Sequence, residues 1–208
     1  KVRTTVKDRI REELEIMVAE DYFPESNIQA TLDNITLYEE LEPAVKDVEF
    51  VIEALPEILE LKQDILLQLD QICPADTILA TNTSSLKLFD IAAKVSEERK
   101  SKVLVAHCYN PAHLIPIIEL SYFGNMSEED FNEVSDLFTR CEKTPVKVLK
   151  DVTGMVANRL LHAQAREAFY LIDQGIASAE DVDKALMYGP CFRNATTGML
   201  ECADMGGL

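Results

Sequence analysis

The 208-residue chain lacks a long apolar run and lacks any excess of positive charge. A membrane-spanning helix needs about 20 consecutive apolar residues, and no segment reaches that length. The start of the chain also lacks the charged, apolar and small-residue order of a signal peptide. Twenty lysines and arginines stand against 37 aspartates and glutamates, a formal net charge of −17. Because nucleic acid and anionic membranes bind clustered basic side chains, the composition argues against both as partners.

Paired cysteines are lacking as well. The cysteines are odd in number and show no C-x-x-C spacing: Cys73, Cys108, Cys141, Cys191 and Cys202. This pattern favours free thiols in a reducing, cytoplasmic compartment over a disulfide framework. No set of histidine, cysteine and carboxylate residues has metal-ligand spacing, so we expect no metal site. Internal repeats and Gly/Ser-rich linkers are also missing.

What is present is a globular composition, 47% hydrophobic and 27% charged, with strand-like and helix-like segments in alternation. Such alternation implies right-handed crossovers and a largely parallel sheet covered on both faces, an α/β fold. The periodicity predicts helices near residues 6–17, 41–46, 57–69 and 86–94, and strand-like stretches near 29–37, 48–52, 77–81, 102–107 and 115–121. From Gly154 onward the pattern is helical only. We therefore expect a domain boundary near residue 150, with one domain at 1–150 and the start of a helical domain at 151–208.

Two helix starts carry a capping signature. Ser127 and Ser178 each precede an acidic residue by three positions, at Asp130 and Asp181, which predicts helix N-caps at both serines.

His107 and Glu119 are the candidate catalytic residues. Both lie in short apolar runs, and the Asn110-Pro111 pair between them is typical of a turn. In an antiparallel pair the sum of paired residue numbers is constant, so a reversal centred near position 113 sets His107 opposite Glu119. A carboxylate beside an imidazole favours its protonated form and fixes its tautomer, as a hydroxyl-deprotonating base requires. The alternative is a structural salt bridge at a sheet edge.

Four blocks in order resemble the L-3-hydroxyacyl-CoA dehydrogenase family. They are VIEALPE at 51–57, ATNTSSL at 80–86, HCYNP at 107–111 continuing to Glu119, and GMVANRLL at 154–161. GMLECAD at 198–204 is similar to that family's G-P-x-E-x-x-D segment. Together the blocks span nearly the whole chain.

The resemblance implies a Rossmann-like, doubly wound NAD-binding domain followed by a partial helical domain that forms a homodimer. It implies reversible oxidation of a 3-hydroxy group of a small-molecule substrate, with His107 and Glu119 removing the hydroxyl proton while NAD receives a hydride. Carried over residue by residue, the substrate contacts are Ser84 and Asn158, and the cofactor contacts are Glu57, Lys62, Ser84 and Asn110.

Each of these residues has a plainer interpretation. Residues 83–85 also resemble an ordinary helix N-cap cluster, and Lys62 alone resembles a solvated helix lysine. Asn158 falls in a predicted helix interior, where asparagine is mildly unfavourable. His113 and His162 have no matched partner and are interpreted as structural or surface residues. Cys108 is interpreted as a packed thiol, because only His107 is basic nearby.

The chain departs from the family in two respects. It has no G-x-G-x-x-G turn for the cofactor diphosphate, and it opens without Met directly in a helical pattern. We therefore expect a chain truncated at both ends, with low NAD affinity by itself. The first helix is acidic where acyl-CoA members contact the CoA nucleotide, which predicts repulsion of CoA phosphates; its acidic residues are Glu12, Glu13, Glu15, Glu20 and Asp21.

A second reading of the substrate comes from residues 189–193 (GPCFR), which resemble the family branch that includes lambda-crystallin and gulonate dehydrogenase. Arg193 is then a candidate bidentate partner for a small carboxylate, or else a surface arginine at a helix end. The sequence favours a 3-hydroxyacyl-CoA dehydrogenase. The alternatives are the same fold acting on a free hydroxy acid, such as gulonate or hydroxybutyrate, and a non-catalytic, crystallin-like relative.

Overall fold

The computed structural model describes residues 3–207, with side chains described from residue 6 onward. Within this range five strands form one sheet: β1 (Phe50–Glu53), β2 (Ile78–Thr81), β3 (Val103–Cys108), β4 (Ile117–Ser121) and β5 (Thr144–Val148). The helices before the last strand are α1 (Arg3–Ala19), α2 (Ile28–Asp33), α3 (Leu41–Val45), α4 (Leu59–Ile72), α5 (Leu88–Ile91) and α6 (Glu128–Arg140). Those after it are α7 (Ala157–Asp173), α8 (Ala179–Tyr188), α9 (Pro190–Asn194) and α10 (Met199–Met205).

The sheet is mainly parallel, with one reversal. Its strands lie side by side in chain order, β1 to β5. β1, β2 and β3 run parallel to one another, β4 runs antiparallel to β3, and β5 runs parallel to β4. The carboxyl ends of β1, β2 and β3 therefore share one edge of the sheet. This is the edge at which open α/β sheets bind ligands.

The core has two parts, one on each face of the sheet. Alternate residues of β3 point to opposite faces, so Val103 and Val105 join one cluster and Leu104 and Ala106 the other. The first cluster packs against α4 and α5 through Leu66, Leu69, Leu88 and Ile91. The second packs against α6 through Phe131, Val134 and Phe138. Burial on both faces explains why all four residues of β2 are buried and why its sequence shows no polar alternation.

Most predicted elements are confirmed, and one is wrong. Ser127 and Ser178 cap α6 and α8, each accepting a hydrogen bond from the backbone N–H three residues on. The strand-like stretch predicted at 29–37 is instead helix α2, preceded by a 3-10 turn. Ile28 and Leu32, four residues apart, are its two buried residues. The helical spacing of these two apolar anchors prevails over the β-propensity of the residues that follow.

The region after β5 is entirely helical within the described residues. Only Val182 is buried in the helices α7 to α10. Large apolar side chains are exposed on all four helices, among them Phe169, Tyr188, Phe192 and Leu200. No helix in the described range combines the length and apolarity needed to cross a membrane.

Arg99 holds together the connection between α4 and β2. Its guanidinium group is buried and pairs with Asp70, Nε to Oδ1 at 2.9 Å. The remaining donors reach backbone carbonyl oxygens at 2.7 to 3.2 Å, those of Cys73, Pro74, Ala75 and Thr77. A planar group with five donors matches this set of acceptors, which a single ammonium cannot.

We expect Arg99→Met to lower the free energy of unfolding by about 3 kcal/mol, because it leaves a largely buried carboxylate and several carbonyls without their donor. The matched control is Lys94→Met, which removes the exposed ion pair of Lys94 with Asp64 and should cost less than about 1 kcal/mol. Urea denaturation followed by circular dichroism measures both. Equal losses in the two variants would show that Arg99 does not organise this connection.

Candidate active site

The imidazole of His107 and the carboxylate of Glu119 are paired across β3 and β4. The two residues are direct register partners, and Nδ1 of His107 lies 2.9 Å from Oε2 of Glu119. Glu119 is completely buried and His107 is 7% exposed. Nε2 of His107 has no hydrogen-bond partner among the described residues, yet every fully buried side-chain nitrogen and oxygen there has one. This nitrogen is therefore accessible from the surface, at the carboxyl ends of the parallel strands.

The second carboxylate oxygen of Glu119 binds the start of α7. Oε1 accepts hydrogen bonds from the backbone N–H groups of Val156 and Ala157, both at 2.8 Å. The first N–H groups of a helix have no partner within the helix, and its positive end favours an anion. Glu119 thus caps α7 from strand β4, while its other oxygen orients the imidazole of His107.

Glu119 remains ionised in this environment. Burial alone raises the pKa of a carboxyl group, but the hydrogen bonds from His107, Ala157 and Val156 outweigh it, and they hold the pKa of Glu119 below its ordinary value. An ionised Glu119 accepts the Nδ1 proton of His107, so the neutral imidazole carries its lone pair on Nε2.

Tyr109 and Asn158 complete this side of the site. The hydroxyl of Tyr109 donates to Oδ1 of Asn158 at 2.5 Å, and the tyrosine ring meets the imidazole of His107 edge to face, with centroids 5.4 Å apart. Asn158 lies in the first turn of α7, so the prediction of a helix-interior position is wrong. The sequence interpretation missed Tyr109, although strand alternation continued one residue beyond the end of β3 places position 109 on the same face as His107.

A second carboxylate organises the carboxyl ends of β1 and β2. Oε1 of Glu57 accepts from the hydroxyl of Thr83 at 2.6 Å and from the backbone N–H groups of Ser84 and Ser85 at 3.1 and 2.9 Å. Burial raises the pKa of Glu57, but the hydrogen bonds from Thr83 and Ser85 and the charge of Lys62 prevail and lower it from its ordinary 4.5 to about 2. Residues 83–85 do not cap a helix, because α5 begins only at Leu88 and its N-cap residue is Lys87.

Lys62 is fully buried, so its interpretation as a solvated helix lysine is wrong. Its ammonium lies 2.9 and 3.0 Å from the two carboxylate oxygens of Glu53, 3.1 Å from the carbonyl of Leu55 and 3.5 Å from Oε2 of Glu57. Thr81 donates to Glu53 at 2.6 Å. Because its ammonium is enclosed by these acceptors, Lys62 affects the groups at the sheet edge only through its ion pair with Glu57. Glu53 was not among the predicted site residues, although a carboxylate inside an apolar strand needs a buried partner.

Two other predicted site residues, Ser84 and Asn110, lie at the carboxyl ends of the parallel strands. Ser84 is half-buried and Asn110 exposed, and both follow the carboxyl ends of parallel strands, at the edge where His107 lies. Asn110 precedes a cis proline. Asn82, which the sequence analysis also passed over, joins the ends of β2 and β3, since its Oδ1 accepts from the N–H of Cys108 at 3.0 Å.

Four further residues lie apart from this cluster or outside its chemistry. Arg193 is exposed in α9, and its side chain has no partner among the described residues. His162 is exposed in α7. The exposed His113 has its Nε2 3.4 Å from Oε2 of Glu13 in α1, which agrees with its interpretation as a surface residue. Burial raises the pKa of the Cys108 thiol, against a smaller opposing effect of Lys143, which agrees with a packed thiol.

Two sequence models of one family together match nearly the whole chain. The 3-hydroxyacyl-CoA dehydrogenase NAD binding domain matches residues 1–152, and the C-terminal domain of the same enzymes matches residues 154–208. The chain belongs to the 3-hydroxyacyl-CoA dehydrogenase family. The family resemblance inferred from the four sequence blocks is thereby confirmed, and the NAD-binding domain match supports NAD as the cofactor.

Curated relatives of this chain are named for different substrates. An L-carnitine dehydrogenase of Oceanobacillus iheyensis is 34% identical over 86% of this chain and 57% of its own length. A 3-hydroxybutyryl-CoA dehydrogenase of Clostridioides difficile is 36% identical over 88% of this chain and 62% of its own length. The chain thus spans a little over half the length of these relatives.

Solved structures confirm the Rossmann-like fold followed by helices. M. tuberculosis FadB2 superposes with a TM-score of 0.81 at 30% identity, over 89% of this chain and 65% of that one. A diketoreductase superposes with a TM-score of 0.80 at 31% identity, over 88% and 65% of the two chains.

The residues at the sheet edge fit the nicotinamide end of NAD. A largely ionised carboxylate at Glu57 suits ribose hydroxyls, while the hydroxyl of Ser84 and the amide of Asn110 offer both donors and acceptors to a carboxamide. The chain contains no glycine before Gly124 and so no G-x-G-x-x-G turn for the diphosphate.

We expect Glu57→Gln to weaken the dependence of the free energy of unfolding on pH in the acid range. Because folding lowers the pKa of Glu57 to about 2, its stabilising effect is complete above about pH 4.5 and is lost as pH falls toward 2. The stability difference between wild type and Glu57→Gln should therefore shrink as pH falls from 5 to 3. Thermal unfolding at several pH values measures it, with the exposed Glu60→Gln as control. A difference that is constant with pH would contradict the role of the ionised Glu57.

Proposed function

We propose that the protein catalyses reversible, NAD-dependent oxidation of a 3-hydroxy group to a 3-keto group, with His107 as general base. The observation that carries the proposal is the buried His107–Glu119 pair, whose imidazole presents Nε2 at the carboxyl edge of the parallel strands. An ordinary structural salt bridge does not require a carboxylate with three hydrogen bonds and a second ring nitrogen left available to a ligand.

The proton moves through His107. With Nδ1–H donated to Glu119, Nε2 accepts the proton of the substrate hydroxyl, and Glu119 stabilises the resulting imidazolium without itself taking the proton. In the reverse direction the imidazolium returns the proton to the keto oxygen. Asn158, close to the base through Tyr109, donates its amide N–H to the same oxygen. Bound NAD supplies the acceptor for the hydride from the carbinol carbon.

Four residues would hold the cofactor's nicotinamide end at this edge. Glu57, Ser84 and Asn110 contact it directly in this proposal. Lys62 acts through Glu57, because its ammonium is enclosed by protein oxygens. The ionised Glu57 also holds the backbone of Ser84 in place.

The favoured substrate is a 3-hydroxyacyl-CoA, as in the 3-hydroxybutyryl-CoA relatives. A specific observation supports a second candidate, a free 3-hydroxy acid that carries a positive charge, as L-carnitine does. Glu13 contacts His113, which lies in the connection between His107 and Glu119. The carboxylate of Glu13 thus lies beside the active-site connection, where it would repel a CoA phosphate and attract a cation. On this second reading Arg193 would bind the carboxylate.

We also propose a homodimer formed through the helices after residue 150, in a protein of the cytoplasm. The exposed apolar side chains on α7 to α10 support the dimer, because such surface is typical of protein interfaces. The five free cysteines support a reducing compartment.

His107→Gln in the complete gene product should lower kcat by about 10²- to 10⁴-fold, because it removes the proton acceptor. His162→Gln, an exposed histidine of α7, is the matched control and should leave kcat unchanged. NADH absorbance during turnover measures both variants. Unchanged turnover of every hydroxy substrate by His107→Gln would show that this histidine is not the base.

The substrate question is settled by comparing reduction of acetoacetyl-CoA with oxidation of L-carnitine by the complete protein. We expect kcat/KM to be at least about tenfold higher for the CoA thioester, a difference of about 1.4 kcal/mol in transition-state binding. The opposite preference, weakened by Glu13→Gln, would establish the second candidate. No turnover of either substrate, with intact NAD binding, would favour the non-catalytic relative.

A further inference from the structure

We propose that Tyr109 is a positioning residue of this site, whose hydroxyl fixes the side-chain amide of Asn158 so that its NH2 group faces the substrate oxygen. The inference rests on the proposed function and goes beyond it, because neither the sequence blocks nor the dyad assigns Tyr109 a role. Its observations are the contacts of Tyr109 with Asn158 and with the imidazole of His107.

The geometry identifies which end of the amide meets the tyrosine. A side-chain amide has an oxygen that only accepts and an NH2 group that only donates. The separation of 2.5 Å between the Tyr109 hydroxyl and Oδ1 of Asn158 suits an O–H···O bond, whereas N–H···O bonds are longer, at about 2.7 to 3.2 Å. The tyrosine therefore donates to the amide oxygen, and the NH2 group points away from it.

The tyrosine is held in its donor form. Burial raises the pKa of Tyr109, and the negative charge of Glu119 raises it further. A hydroxyl that stays protonated keeps donating to Oδ1. The amide of Asn158 has no other side-chain hydrogen bond among the described residues, so this bond alone sets its orientation.

The contacts close a ring around the base. His107 binds Glu119, Glu119 binds the N–H groups at the start of α7, α7 carries Asn158, and Asn158 binds Tyr109, whose ring meets His107. Two polar groups of this ring remain available to a ligand, Nε2 of His107 and the NH2 of Asn158. Together they suit one oxygen that alternates between hydroxyl and keto forms: Nε2 exchanges its proton, and the amide N–H stabilises its developing charge.

A phenylalanine at position 109 keeps the ring contact and removes only the hydroxyl. The amide of Asn158 is then free to turn its oxygen toward the substrate. In the complete protein we expect Tyr109→Phe to lower kcat/KM about tenfold, the effect of losing one well-placed hydrogen bond. Most of the loss should fall on kcat, because the bond strengthens as the substrate oxygen gains charge. Tyr122→Phe, another partly buried tyrosine with ring contacts, should retain wild-type kcat.

A double-mutant cycle with Asn158→Ala separates positioning from a general structural effect. If Tyr109 acts through Asn158, Tyr109→Phe costs about tenfold in the wild type and less than about twofold in Asn158→Ala. The full tenfold loss in both backgrounds, or no loss in the wild type, would overturn the inference.

A readout without turnover distinguishes this inference from the proposed reaction. The NH2 resonances of Asn158, identified by their absence in Asn158→Ala, should shift or broaden in ¹⁵N-labelled Tyr109→Phe protein while the rest of the spectrum is preserved. If the wild type oxidises no hydroxy substrate, the proposed function fails while this measurement still tests Tyr109. Unchanged Asn158 resonances would show that the tyrosine does not orient the amide.

Discussion

The burial of the Glu119 carboxylate is the constraint on which the site depends. An ionised carboxylate removed from water is destabilising unless hydrogen bonds replace its hydration. Here three donors do so, one from His107 and two from the start of α7. These donors come from β3 and from α7, so one buried charge organises the sheet, the imidazole of His107 and the helix. The same arrangement that makes the burial tolerable also orients the imidazole.

A second buried charge repeats this principle at the other end of the sheet edge. Glu53 and Lys62 neutralise each other beneath the surface, and Lys62 extends its charge to Glu57, which binds the backbone of residues 84 and 85. Two carboxylates on strands, Glu53 and Glu119, therefore hold the two sides of the edge at which the parallel strands end. The groups that would meet a ligand are supported from below by ion pairs that no ligand reaches. His107 and Asn158 are each held by one polar atom, Nδ1 and Oδ1, which leaves Nε2 and the NH2 group without a partner among the described residues.

The sequence predicts most of the helices and strands and the local part of the candidate site. It does not predict the contacts that depend on the packing of distant elements. The His107–Glu119 pairing follows from a local rule, because an antiparallel reversal has a single centre and both residues lie within seven positions of it. The burial of Lys62 and the contact between Tyr109 and Asn158, 49 residues apart, depend on how distant elements pack. Helix α2 replaces the expected strand because Ile28 and Leu32 are buried at helical spacing, whereas the β-branched Ile35 and Thr36 lie after the helix.

The reversal between β3 and β4 has a consequence for how the site is assembled. In a parallel crossover, residues 12 apart could not face each other, so the imidazole and its carboxylate partner would have to come from separate segments. The antiparallel pair brings His107 and Glu119 together locally, but it supplies a donor to only one carboxylate oxygen of Glu119, Oε2. That deficit is met only by the N–H groups of Val156 and Ala157. The same turn of α7 carries Asn158, which Tyr109 binds from the end of β3. Docking of α7 therefore stabilises the charge that orients the proposed base and, in the same step, brings the proposed substrate-binding amide beside it.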